Sequence, residues 1–250
     1  MAGHSKWANI KHKKAATDAK RGKLWSKLSK AIMVAAKNGG SDMDVNIRLR
    51  TLVGDARAVS MPKDNIARAI KKGAGELDNI AFEEIVYEGY GPGGVAVMCD
   101  ILTDNRNRTS PELKKVFEKG GGKMGATGCV GYLFERKGLF VISSEVADEE
   151  KLMEVALEAG ADDIATVDDN FEVTCDPVKY SEVAESLEAA EITCLSKQVA
   201  RIPSNTVDLN AADARKILKM VDDLEDHDDV QAVSSNFNIS DEILAEISNE

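Results

Sequence analysis

Residues 1–72 carry 17 basic and 5 acidic side chains, a net of +12, whereas the rest of the 250-residue chain carries 15 basic and 38 acidic, a net of −23. Such a split points to two kinds of body: a basic module that meets a polyanion and an acidic one that stays off it. The asymmetry peaks in the first thirty residues. Nine of them are cationic (Lys6, Lys11, Lys13, Lys14, Lys20, Arg21, Lys23, Lys27 and Lys30), against the single acid Asp18. Up to Thr17 these cations follow no apolar periodicity, which predicts an arm that orders on binding. Trp7 lies within the arm with no core around it. Trp25 lies beside an apolar helical stripe and is expected to pack.

Length alone predicts roughly two or three domains. A hydrophobic content of 43% suffices for packed cores, while 5% aromatics limits any surface built on ring stacking. No run approaches the ~20 apolar residues of a membrane span. The N-terminus lacks the apolar core of a secretory signal, and its lysines do not suit a transit peptide. Cys99, Cys129, Cys175 and Cys194 are widely spaced and read as reduced thiols of a cytoplasmic protein.

Helical spacing of Leu24, Leu28, Ile32 and Ala35 predicts a helix from Asp18 to about Lys37, ended by Asn38-Gly39-Gly40. Further helices are expected over Val45 to Val59 and, after the break at Ser60-Met61-Pro62, through Lys72. Three helices of this size share one small core. Strands then follow over Phe82 to Tyr90 and Val95 to Leu102, joined across Gly91-Pro92-Gly93-Gly94. Thr103 to Arg108 reads as a polar loop before a helix opening near Ser110-Pro111, with Leu113, Val116 and Phe117 inward. After a glycine-rich stretch, Cys129 to Phe134 reads as another strand. Residues 137 to 202 carry the βαββαβ pattern of a ferredoxin-like unit. A last helix bears Ala214, Ile217, Leu218, Val221 and Leu224, and a strand runs from Val230 to Ile239. These two have nothing to pair with unless they rejoin the sheet begun at residue 82.

The expected architecture is therefore α+β and multidomain. Residues 1–80 form a basic arm and a three-helix domain. Residues 81–135 with 204–240 form a discontinuous α+β domain, and residues 136–203 form a ferredoxin-like domain inserted in it. Both α+β units are expected to be of the βαββαβ type.

Two constellations suit nucleic acid. In the first, Lys6, Lys11, Lys13, Lys14, Lys20, Arg21, Lys23 and Lys27 neutralise phosphates and release counterions, with His12 and the Trp7 ring among them. In the second, Asn105, Arg106, Asn107 and Arg108 combine guanidiniums for phosphate with amides that read base edges. The stretch is equally well explained by Asn and Asp as turn formers, with Thr109 or Ser110 capping the next helix. The glycine-rich stretch around Lys123 is not a phosphate loop, because Phe117 and Met124 stand where Gly and Ser or Thr are required. His4, His12 and His227 have no catalytic or metal spacing, no nucleophile elbow is present, and the acidic run from Asp222 to Asp229 lacks the pattern of a calcium loop. No enzyme activity, cofactor, resident metal or small-molecule substrate is expected.

The segments AGHSKWANIKHKKAATDAKRGK, MPKDNIARAIKKG, YEGYGPGGVAV and LTDNRNRT closely resemble the YebC/PmpR family, which includes the mitochondrial translational activator of cytochrome oxidase subunit I. The resemblance covers essentially the whole chain. It implies a helical domain followed by two α+β domains, the third inserted in the second. It also implies a cytoplasmic transcriptional regulator that binds promoter DNA. Other members are described as ribosome-associated factors that help synthesis through proline-rich stretches, so ribosomal RNA is the alternative target. With no presequence before Met1, the chain is expected to be a bacterial-type member.

Overall fold

Asn46 fixes how the N-terminal helices meet. In the computed structural model, which describes residues 18–76, 82–167 and 169–248, helix α1 spans Asp18–Gly39, α2 Ile47–Ala58 and α3 Lys63–Gly73. The Asn46 side chain accepts the Leu49 N–H at 3.0 Å, capping α2, and donates to the carbonyls of Ala35 and Gly40 at the end of α1. Ile32, Ala35, Leu49, Val53, Ala56, Ile66 and Ala69 form the shared core. Trp25 packs against it, and its indole N–H donates to the Val59 carbonyl at 3.1 Å.

Strands β1 (Glu83–Tyr90) and β2 (Ala96–Thr103) pair antiparallel from Glu83↔Thr103 to Tyr90↔Ala96. Gly93 and Gly94 sit at φ 70° and 78° in the turn, where a side chain would be strained. Helix α4 (Arg106–Lys119) and the short β3 (Lys123–Met124) follow. The chain then leaves along β4 (Phe134–Ser143) to α5 (Glu149–Leu152, widening into a π turn over Met153–Leu157), β5 (Ala161–Val167), β6 (Asn170–Cys175) and α6 (Tyr180–Ala189). It returns along β7 (Cys194–Pro203). Next come β8 (Val207–Asp208), α7 (Ala211–Glu225), β9 (Val230–Ser235), β10 (Phe237–Asn238) and α8 (Asp241–Ser248).

Two four-stranded antiparallel sheets result, ordered β3-β1-β2-β9 and β5-β6-β4-β7. The second has the ferredoxin-like order, and its helices cover Phe140, Ile142, Phe171 and Val173 on one face. The first reaches the same layer by a different path. Its opening strands form a hairpin, so the chain order is ββαβ and then, after the insertion, αβ. The βαββαβ expectation holds for the inserted unit and not for the middle one. Helices α4 and α7 cover one face of the middle sheet, burying Val97, Cys99, Ile101, Phe117, Ile217 and Leu224. The inserted unit exits and re-enters on neighbouring strands, Phe134 opposite Pro203. Arg201 ties it to the middle sheet through a two-point ion pair with Asp100, at 2.8 and 3.2 Å.

Three local expectations are corrected. Helix α4 starts at Arg106 and not near Ser110, because the Asn105 side chain caps it. Pro111 thus lies inside the helix; the carbonyl it leaves unbonded belongs to exposed Asn107, which water reaches. Residues 129–133 form no strand. The N–H groups of Gly128, Val130 and Gly131 all point at the Glu88 carboxylate, at 2.7, 2.8 and 2.7 Å, so they are withdrawn from any ladder. The run from Val230 to Ile239 breaks at Asn236, whose side-chain oxygen accepts the Ala96 N–H.

Candidate nucleic-acid interface

Helix α1 presents lysines at positions 23, 27 and 30, spaced to leave one side of the helix. All three meet the turn that follows α7. The Lys23 ammonium lies 2.6 Å from the Asp226 carboxylate and also donates to the Asp226 carbonyl. Lys27 donates to the Glu225 carbonyl at the C-terminal end of α7, where carbonyls lack helical partners and the helix dipole favours a cation. Burial lowers the Lys27 pKa, against the opposing pull of Glu225, Asp226 and Asp228. Lys30 donates to the Asp228 carbonyl at 3.1 Å and to Asp229 Oδ1 at 2.8 Å.

Asp229 is the centre of this seam. It is 1% exposed, and its second oxygen accepts from Arg108 at 2.7 Å, Thr109 at 2.7 Å and Thr103 at 3.1 Å. Burial alone raises such a carboxyl. The hydrogen bonds from Lys30, Arg108 and Thr109 outweigh that and hold it well below the usual carboxylate range. His227 joins the rim, its Nδ1 accepting the Asp229 N–H while its other ring nitrogen meets Glu112 at 3.1 Å.

The cations expected to meet phosphate therefore separate into groups. Lys6, Trp7, Lys11, His12, Lys13 and Lys14 lie outside the described residues. Lys20 falls in the first turn of α1, and Arg21 is exposed on the next. Lys23 and Lys27 are occupied within the protein. Asn105 accepts the Arg108 N–H as the cap of α4, and Arg108 bonds both Asp104 and Asp229. Arg106 and Asn107 stay exposed at the start of α4. The stretch is thus a helix start with two free side chains, not an open loop of four.

Sequence reasoning passed over two parts of this geometry. Asp229 looked like one acid in a solvated run, although the strand beginning at Val230 marks the point where that run enters the core. Helix α3 entered the sequence reading as a helix and as part of the MPKDNIARAIKKG motif, with no binding role given to its individual cations. Ile66 and Ala69 face inward, whereas Lys63, Arg68 and Lys71 are exposed and form no ion pair with any described residue. The i, i+3 spacing of Arg68 and Lys71 opposite the apolar stripe was the available signal. Among the described residues no group of His, Cys, Asp and Glu could hold a metal ion, and no helix is long and apolar enough to cross a membrane.

Helix α3 thus adds an exposed cationic face to a small helical domain that precedes two acidic α+β units. Comparison with known proteins agrees on the fold. A family model described as the TACO1/YebC protein N-terminal domain matches residues 5–76, and one described as the TACO1/YebC second and third domain matches residues 82–237. A protein of Rhodopirellula baltica is 58% identical over 98% of this chain and its own full length, and one of Dictyoglomus turgidum is 51% identical over 99% of this chain and its own full length. Both are named as probable transcriptional regulatory proteins. The crystal structure of a conserved hypothetical protein from Aquifex aeolicus superposes with a TM-score of 0.82 at 47% identity, covering 91% of this chain and 94% of that one. The chain belongs to the TACO1/YebC family.

Proposed function

We propose that this protein is a cytoplasmic regulator of gene expression that binds nucleic acid, DNA in the first instance, through its arm and helical domain. The observation that carries the reading is the distribution of neutralised charge. The acidic body satisfies Lys23, Lys27 and Lys30 internally, yet Lys63, Arg68 and Lys71 remain exposed on α3, on the domain that the arm of Lys6, Lys11, Lys13 and Lys14 leads into. Clustered cations on one domain of an otherwise acidic chain suit backbone phosphates and discourage contact elsewhere. The naming of the relatives as probable transcriptional regulatory proteins supports the regulatory role.

The test is fluorescence anisotropy of a labelled promoter duplex across a salt series, with the full chain, a variant lacking residues 1–23, and Lys63→Ala/Arg68→Ala/Lys71→Ala. Affinity that falls with salt, with a flatter slope in both variants, is the expected result. Unchanged affinity in both variants overturns the assignment. Arm-dependent sedimentation with ribosomes, without duplex binding, moves the target to ribosomal RNA.

A further inference from the structure

The middle sheet has helices on one face only. Its other face carries Val86, Glu88 and Tyr90 from β1 with Ala96 and Met98 from β2, and residues 129–134 cross over it. At the β3 edge this cover ends, and two tyrosine rings stand in solvent. Tyr90 is 41% exposed and Tyr132 75%, and no other aromatic ring among the described residues is exposed. The two exposed rings of the described residues thus stand near one another, close enough for Tyr132 to act electrostatically on Tyr90. A ring left in water forgoes most of the burial gain that aromatic residues otherwise supply.

The spot is also built. The Tyr90 hydroxyl donates to the Cys129 carbonyl at 2.9 Å, which orients that ring. The three N–H bonds to Glu88 pin Gly128, Val130 and Gly131, and so set the turn that displays Tyr132. Lys123 lies directly opposite Tyr90 in the β1–β3 register, so the two side chains leave the same face, and Lys123 is exposed. Gly125, Ala126, Thr127 and Gly128, all small and exposed, leave room beside the rings. The nearby Glu88 charge is buried and absorbed by backbone N–H groups, and exposed Glu135 and Arg136 offset one another in sign.

We infer that Tyr90, Tyr132 and Lys123 form a stacking platform for unpaired nucleobases, with Lys123 on the adjoining phosphate. The inference rests on the nucleic-acid reading above and deepens it: the helical domain grips backbone, and the exposed β3 edge of the middle sheet takes bases that have left a duplex. Aromatic rings beside a cation at the exposed edge of an antiparallel sheet are suited to this, because every base has a π-face to stack. A duplex keeps its bases stacked on one another and offers the platform nothing.

The test measures anisotropy of labelled oligothymidylate and oligouridylate of about 20 nucleotides, longer than the usual single-strand site, beside a duplex of equal length. The proteins are the full chain, Tyr132→Ala, Tyr132→Phe and Lys123→Ala. Because Tyr132 is largely exposed, its removal leaves the fold intact. Tyr132→Ala is expected to weaken single-strand binding about tenfold, to leave duplex binding unchanged, and to be rescued by Tyr132→Phe. The two oligonucleotides show whether deoxyribose or ribose strands are preferred. Equal losses on duplex and single strand, or an unchanged single-strand affinity in Tyr132→Ala, overturn the platform while sparing the nucleic-acid reading. Failure of the unaltered protein to bind any of the three probes overturns both.

Discussion

Lys30 of the N-terminal helix and Asp229 of the middle domain meet at 2.8 Å, and the carboxylate end of that pair is almost fully buried. The helical domain is thus fastened by a charge pair placed where the chain's most basic segment meets its most acidic run. Because Arg108, Thr103 and Thr109 share the same carboxylate, one side chain couples α1, β2 and α4.

Removing that carboxylate leaves two cations facing each other and takes the charged acceptor from the buried Thr103 and Thr109 hydroxyls, which keep only each other and the Asn105 carbonyl. Asp229→Ala is expected to destabilise the protein by about 3 kcal/mol. Lys30→Met leaves Arg108 and the threonines in place and is expected to cost less than half of that. Urea unfolding followed by Trp fluorescence and by circular dichroism measures both. The double variant shows whether the two losses fail to add, as they should for groups sharing one network.

The same network sets an acid limit. The folded pKa of Asp229 is depressed, so the unfolded chain binds the proton more readily. Its stabilisation is complete above the ordinary carboxylate pKa of about 3.9 and is lost as pH falls from there through the folded value. Thermal unfolding between about pH 4 and pH 2 is therefore expected to fall more steeply in the unaltered protein than in Asp229→Asn, which has no such proton to gain. Parallel curves would remove Asp229 from the account.

Glu88 supports a prediction of a different kind, since its partners are backbone groups. Burial raises its pKa, and the N–H groups of Gly128, Val130 and Gly131 more than reverse that. Glu88→Gln keeps the shape but replaces one acceptor oxygen by an NH2 that opposes a backbone N–H. A loss of about 2 kcal/mol is expected. Faster amide exchange confined to residues 125–133 is the accompanying signature, measured by hydrogen–deuterium exchange.

How much of this was legible beforehand follows from which interactions are local. Helix and strand periodicity is local, and it placed Ile32, Ala35, Leu113, Phe117 and Ile217 inward. The ferredoxin-like order of the inserted unit was legible because β4, α5, β5, β6, α6 and β7 alternate in the pattern that topology requires. Glu88 was not legible: 40 residues separate it from the N–H groups it binds, and nothing in YEGYGPGG marks its carboxylate as buried. The cap at Asn105 was misplaced to Thr109 or Ser110, because the hydroxyls beside Pro111 offer an equally good capping group and the sequence alone does not show where the first helical turn closes. The seam of Lys23, Lys27, Lys30 and residues 225–229 joins segments about 200 positions apart. Charge complementarity made the contact possible, and only the fold brings it about.

The last prediction concerns competition between that seam and nucleic acid. Asp226 is mostly exposed, and its pair with Lys23 is open to solvent on both sides, so its contribution to stability is small. A phosphate approaching α1 must nevertheless displace that carboxylate or accept its repulsion. Asp226→Asn is therefore expected to leave the melting temperature within about 2 °C. It is also expected to raise affinity for a duplex about two- to fourfold at low salt, with the gain vanishing at high salt as screening shortens the reach of the lost charge. Anisotropy at two ionic strengths decides it. An unchanged affinity at low salt would place Lys23 outside the path of the nucleic acid, with α3 and the arm as the binding elements.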